Sequence, residues 1–337
     1  MKAPGFWSRP PGLTARLLAP LGWAYDLGGR LRRLAVVPLT PGLPVVCVGN
    51  LVAGGAGKTP VALAIADLLR ARGVAVHMLT RGYGGRLHGP VRVVPSHHDA
   101  ALVGDEALLL AEAAPTWVAR DRAAGALAAR GAGADALVLD DGFQNPTLRH
   151  HLALVVVDGA VGFGNGRVIP AGPLREPVAR GLNRASALVI LGEDRTGLAA
   201  AGLGLPLIHA RLVADPAVAA RFRGRRLLAF AGIGRPAKFF ETCRELGADL
   251  VATVSFPDHH RFRPEEIAEL LVRARALGAL PVTTTKDAVR LPAAMRSEIR
   301  VLPVRVSWQD PQRLTDLLAT ALAPMASCPD RTRADHG

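Results

Sequence analysis

The sequence predicts an α/β protein with a mostly parallel main sheet, joined to a second, smaller α/β domain. Three observations carry this expectation. Short apolar runs at 45–48, 74–80, 136–139, 154–157 and 187–191 alternate with helical spacing at 60–72, 105–114 and 122–130. Strands separated by helices can pair in parallel with both faces covered. A second series follows: a strand at 226–231, a helix at 237–246, a strand at 250–254, a helix at 264–277, and strands at 280–284 and 301–306. Between the two series, 192–225 is rich in Gly, Ala and Pro and reads as a linker. The expected units are 1–36, 37–210, 211–326 and a disordered tail over 327–337.

The first unit is amphipathic. Leu17, Leu21, Ala24, Gly28, Leu31 and Leu34 recur at three- and four-residue spacing, with Trp7, Trp23 and Tyr25 nearby and Arg16, Arg30, Arg32 and Arg33 among them. One or two helices fit this pattern. Pro20, Gly22 and Asp26 interrupt the run, so it is neither a signal-peptide core nor the ~20 apolar residues that span a bilayer. Such a helix can pack on the protein's own core or lie in a membrane interface, with Trp and Leu in the acyl boundary and Arg on lipid phosphates. The two readings are compatible.

Residues 45–60, VVCVGNLVAGGAGKTP, read as strand, glycine turn and helix start. The phosphate-loop pattern G-x-x-x-x-G-K-[ST] would place glycine where Val52 stands, so this loop should be longer than the usual one. Gly54, Gly55 and Gly57, with Ala56 between them, leave the backbone free to wrap a phosphate. Amides at the helix start attract it, Lys58 reaches the β- and γ-phosphates, the Thr59 hydroxyl can ligate Mg²⁺, and Pro60 suits the first turn. The 37–210 unit is therefore expected to be P-loop NTPase-like.

Four other segments carry chemistry-bearing side chains. In ALVLDDGFQ, 136–144, an apolar strand ends in two carboxylates, the arrangement of a second Mg²⁺ element; either Asp140 or Asp141 fits that role. LTRGYGG, 79–85, sets Arg81 and Tyr83 on a glycine turn, and VGDEALLL, 103–110, opens a helix with Asp105 and Glu106. SFPDHHRF, 255–262, follows a strand of the second domain and offers Asp258, His259 and His260. Taken singly, an acidic N-cap or a glycine turn is ordinary architecture.

Bulk properties exclude some classes. At 337 residues and 50% hydrophobic content the chain can bury two cores without being a membrane bundle. The net charge of +13 calls for an anionic partner, but only Lys2, Lys58, Lys238 and Lys286 are lysine and the arginines are scattered. Aromatics make up 4%, few for stacking single-stranded bases, and no nucleic-acid recognition module is evident. Cys47, Cys243 and Cys328 show no metal spacing, which fits a reduced, cytosolic compartment.

Taken together, VGNLVAGGAGKTP, LTRGYGG, GDEALLLA, DDGFQ, GFGNGRVIPAGPLREP, FAGIGRPAKFF, SFPDHHRF and TTTKD arrive in the order of the tetraacyldisaccharide 4'-kinase family of lipid A biosynthesis, which the chain resembles from about 45 to 287. The long phosphate loop is similar to that family's G-N-x-x-x-G-G-x-G-K-T form. The resemblance implies transfer of the γ-phosphate of ATP, with Mg²⁺, to the 4'-hydroxyl of a tetraacylated glucosamine disaccharide-1-phosphate, giving lipid IVA. It also implies that the N-terminus reaches this lipid by peripheral contact with the anionic cytoplasmic face of the bacterial inner membrane.

By motif position, Asp105 would accept the hydroxyl proton and His259 would polarise it across a cleft; the following residue varies in the family and is His260 here, leaving open which imidazole faces inward. Lys58 would serve the phosphates, while Thr59, Asp141 and Glu106 would form the metal shell, with Asp140 in support. Arg81 and Tyr83 would lie near the reacting groups, and Gln144, Arg175 and Glu176 would line the nucleotide site. A membrane-associated P-loop switch ATPase is the alternative; it would share the glycine loop and the basic N-terminus but has no use for the FPDHH loop.

Overall fold

The computed structural model describes residues 4–323; the tail expected over 327–337 lies outside them. Helix α1 (Leu13–Leu34) is followed by strand β1 (Val45–Gly49), α2 (Lys58–Arg70), β2 (Val76–Thr80) and a short β3 (Val91–Arg92). Then come α3 (Ala100–Val103), α4 (Asp105–Ala111), β4 (Thr116–Val118), α5 (Arg122–Gly131), β5 (Ala136–Asp140) and β6 (Leu152–Asp158). Next are α6 (Val178–Leu182), β7 (Ala187–Leu191) and β8 (Leu207–Ala214). The second series holds α7 (Pro216–Ala219), β9 (Arg226–Ala231), α8 (Pro236–Glu245), β10 (Asp249–Ser255), α9 (Pro264–Ala276), β11 (Leu280–Thr284), α10 (Thr285–Ala288), β12 (Arg300–Leu302), β13 (Val304–Trp308) and α11 (Pro311–Leu322).

A nine-stranded sheet runs in the order β13-β8-β7-β6-β1-β5-β2-β4-β3, parallel except at its two edges, where β13 and β3 are antiparallel. Strand β1 sits between β5 and β6 and is buried on both faces. Val46, Val48 and Val138 meet Val61, Ile65 and Leu69 of α2 on one side. Val45, Cys47, Leu137 and Leu139 meet Ala126 and Ala129 of α5 on the other. The chain leaves β1 towards β2 on one side and later returns to β6 on the other. Such a reversal opens a crevice at the carboxyl ends of the strands, where ligands settle. The phosphate loop and the two aspartates both end there.

A four-stranded, all-parallel sheet, β10-β9-β11-β12, forms a smaller lobe. Two expectations about its limits need correction. The boundary at 210 falls inside β8, which lies in the presumed linker and pairs with β7. The strand expected at 301–306 is two strands in different sheets, because Pro303 brings no N–H to a ladder while its carbonyl accepts from Asp215 N. Strand β13 and helix α11 thus return to the large sheet, where Leu314, Leu318 and Ala321 join its core.

Helix α1 is a single helix whose polarity is inverted. Leu13, Leu17, Leu21, Trp23, Leu27, Leu31 and Leu34 are exposed, while Ala15 and Gly22 are buried. At 100° per residue the exposed set spans one face and the buried pair the opposite one. A Cβ at Gly22 would stand 3.0 Å from Val168 O, so glycine sets the close approach to the body. Ion pairs from Asp26 to Arg180 and from Arg33 to Glu176 hold the same inward face. Among the described residues no helix is long and apolar enough to cross a membrane.

Candidate active site

The phosphate loop runs from β1 into α2. Lys58 Nζ donates to Asn50 Oδ1 at 3.3 Å and stands 3.7 Å from Asp141. Gly54 and Gly55 are exposed, Ala56 is buried, and Pro60 is the third residue of α2, where an N–H would have no helical partner. Val52, the departure from the shorter pattern, has a use: it forms an antiparallel bridge with Leu174, and Ala53 N donates to Pro173 O at 2.7 Å. The loop's added length is thereby pinned to the segment that carries Arg175.

The two aspartates at the end of β5 face different partners. Asp140 accepts from the Thr59 hydroxyl at 2.8 Å, and its other oxygen is buried with no hydrogen-bond partner. Burial, with Glu106 nearby, pushes its carboxyl well above the usual carboxylate range. A buried acceptor without a donor is what a bound cation would satisfy. Asp141 instead accepts from both terminal guanidinium nitrogens of Arg175, at 2.8 and 3.2 Å. Burial alone would raise its carboxyl, but Lys58 and Arg175 hold it below the usual range. Among the described residues no three His, Cys, Asp or Glu side chains cluster to hold an ion alone. The set Thr59, Asp140 and Glu106 suits Mg²⁺, which takes one or two carboxylates and completes its shell with phosphates and water.

Gln144 donates to Asn50 O at 2.9 Å and so buttresses the loop. Glu176, expected at the nucleotide site, is sunk beneath it: Arg184 and Arg33 donate to its carboxylate at 2.7 and 2.9 Å. It ties α1 to the large lobe.

Across the crevice, Asp105 begins α4 directly after Gly104, whose φ of 87° and close approach to Tyr83 O leave no room for a side chain. The RGYGG turn and the GDE segment therefore pack together, bringing Tyr83 beside Asp105. Arg81 is exposed, close to the buried Arg122. His259 of the smaller lobe meets Asp105 with Nδ1 2.9 Å from Oδ2, and the Tyr83 ring lies 5.8 Å from the imidazole. His260 faces away, with Nε2 2.9 Å from Glu266 and its ring stacked on Phe256. Burial would raise the Asp105 carboxyl, but the His259 hydrogen bond, Lys286 and Arg290 hold it below the usual range.

Two non-glycine residues among those described have positive φ, Asp141 at 54° and His259 at 57°. Both are in the site. Backbone held in this region costs of order 1–3 kcal/mol and persists only where its surroundings over-determine it. At His259 the amide donates to Gly232 O, while Arg290 donates to His260 O and Gly232 O and pairs with the buried Asp287.

Sequence reasoning passed over Lys286, Arg290, Arg122 and Asn50. Lys286 and Asp287 stand in the TTTKD segment, which helped mark the family without receiving a role. Arg122 is buried and its Nε has no partner, but one arginine among many gives no signal in sequence.

A parallel sheet with a glycine loop at its reversal point, a cation at the helix start and a buried carboxylate against the loop threonine together define a P-loop phosphotransferase. The comparisons narrow this class. The family model described as tetraacyldisaccharide-1-P 4'-kinase matches residues 14–323. The tetraacyldisaccharide 4'-kinase of Rhodospirillum centenum is 58% identical, covering 100% of this chain and 99% of that protein. That of Rhodospirillum rubrum is 54% identical, with 92% and 95% covered. A crystal structure of LpxK from Aquifex aeolicus in complex with ATP superposes with a TM-score of 0.73 at 26% identity, over 92% of this chain and 100% of that one. The chain belongs to the tetraacyldisaccharide 4'-kinase family.

Proposed function

We propose that this kinase transfers the γ-phosphate of ATP to the 4'-hydroxyl of a tetraacylated glucosamine disaccharide-1-phosphate in lipid A biosynthesis. The observation that carries the site assignment is the 2.9 Å contact between Asp105 and His259, made across the crevice that the phosphate loop opens. Phosphoryl transfer needs mainly positioning and charge neutralisation. Lys58 neutralises the phosphates from the loop. Thr59, Asp140 and Glu106 would hold Mg²⁺, with Asp141 serving to orient Arg175. The ion would supply charge neutralisation for the phosphates there.

Asp105 receives the acceptor hydroxyl and takes its proton. A carboxylate kept below its usual range is ionised at neutral pH and only weakly basic. That suits a loose transition state in which the proton leaves late. His259 orients this carboxylate, and because it comes from the smaller lobe, the pair forms only when the lobes meet. The lobes act as two domains whose closure keeps water from the γ-phosphate.

The exposed apolar face of α1, flanked by Arg16, Arg30 and Arg32, binds the cytoplasmic face of the inner membrane and brings the crevice to its lipid substrate. The test is transfer from labelled ATP by the purified protein in detergent, with and without the disaccharide lipid. Label in the lipid product, seen only when the acceptor is present, is expected. ATP turnover indifferent to the lipid would overturn the kinase reading in favour of a switch ATPase.

A further inference from the structure

We propose that Lys286 is a positioning residue for phosphoryl transfer: by donating to Nε2 of His259 it holds the imidazole in the tautomer whose Nδ1–H donates to Asp105. The proposal rests on reading Asp105 as the acceptor of the hydroxyl proton. Lys286 Nζ stands 3.2 Å from His259 Nε2, on the opposite side of the ring from Asp105. An ionised carboxylate can only accept a hydrogen bond and an ammonium can only donate one. With Asp105 at one nitrogen and Lys286 at the other, the proton belongs on Nδ1 and the lone pair on Nε2. An imidazolium would turn a second N–H against the ammonium.

Lys286 is itself held in place. Its ammonium lies 3.5 Å from Glu106 and 3.9 Å from Asp258, which balance its charge. Asp258 is also 3.9 Å from His259 Nε2, too far to replace the lysine as a hydrogen-bond partner. The helix that carries Lys286 is capped by Thr284, whose oxygen accepts from Asp287 N. One turn on, Arg290 donates to the backbone of the histidine loop and reaches Asp105 at 3.5 Å. One short segment, TKDAVR, therefore fixes the loop backbone through Arg290 and the ring's proton through Lys286. The bland alternative is a lysine that merely offsets the acidic groups around it. That role would not depend on which ring nitrogen is protonated.

The deciding experiment is long-range ¹H–¹⁵N correlation of the nucleotide-free full-length protein labelled at histidine, with His259 assigned by the signals missing in His259→Asn. The wild type is expected to show a protonated Nδ1 and a bare Nε2. In Lys286→Met a population with Nε2–H should appear. Its kcat with the lipid acceptor should fall about 10–100-fold, the scale on which partners that orient a functional imidazole act, while KM for ATP moves little. Lys286→Arg, which keeps the donor and its charge, should recover the wild-type tautomer and part of the rate. Nε2–H at His259 in the wild type overturns the proposal whatever the folding of the variants, and so does a His259 spectrum unchanged by Lys286→Met. Failure of the Asp105 reading looks different. In that case Asp105→Ala retains turnover while the tautomer still follows residue 286.

Discussion

The two halves of the proposed active site are assembled by different means. The phosphate half, Asn50 to Pro60 with Asp140 and Asp141, hangs from the ends of adjacent buried strands. Its neighbours are fixed by one parallel register, Val48 opposite Asp140. The acceptor half takes Asp105 from the large lobe and His259, Lys286 and Arg290 from the smaller one, so no sheet spans it. The first half is a property of a single core, whereas the second exists only where two cores meet. Nucleotide binding should therefore survive changes that abolish transfer.

The sharpest way to break this contrast is Asp105→Ala. Turnover should fall by about 10²–10⁴-fold, the usual contribution of a positioned base, with ATP affinity nearly unchanged in a nucleotide-binding titration. Unchanged turnover would remove Asp105 from the chemistry. Asp140→Asn acts on the other half and should cost about 10²–10³-fold, the scale of losing one preorganised electrostatic group, while shifting the Mg²⁺ titration to higher concentration. Asp141→Asn should shift that titration less. The reverse order would mean that Asp141 is the ion's partner.

Gly104→Ala probes the packing that brings the acceptor half together. Its Cβ would meet Tyr83 O at 2.4 Å in a positive-φ backbone, so a loss of about 1–3 kcal/mol in urea unfolding is expected, with turnover reduced more than ATP binding. An unaltered unfolding midpoint would show that the two loops need not touch. The smallest effect on the fold should come from Leu17→Ser with Trp23→Ser on the outward face of α1. Stability should stay within about 0.5 kcal/mol, as for other surface changes, while binding to anionic vesicles weakens. A large drop in Tm with vesicle binding intact would place this face against protein.

Much of the phosphate half was legible because its residues are contiguous and their types are dictated by chemistry. Glycines, a lysine and a threonine follow an apolar strand, and an aspartate pair ends the neighbouring one. Even the misfit at Val52 read correctly as a longer loop, although its bridge to Leu174 belongs to a segment more than a hundred residues away. The acceptor half was legible only in part. Asp105 and His259 came from motif positions, but Lys286 and Arg290 are ordinary basic residues until the fold surrounds them with carboxylates.

The ranking of neighbours escaped the sequence for a similar reason. Alternation along β5 puts Val138 and Asp140 on one face, yet only the placement of α2 says that this face carries the phosphate loop. His259 and His260 differ in their surroundings: one meets Asp105 and the other is captured by Glu266 and Phe256.

By itself, the sequence determined the α/β alternation, the strand–glycine loop–helix at 45–70, the amphipathic character of the N-terminus and the family. These are set by local periodicity and by side chains adjacent in the chain. Tertiary structure alone decided that 301–306 divides at Pro303 between two sheets, that β8 extends the large sheet, that α1 turns its leucines outward, and that Lys286 stands against His259. Each depends on what lies across a gap between distant segments, which a linear pattern of apolar and polar residues does not encode.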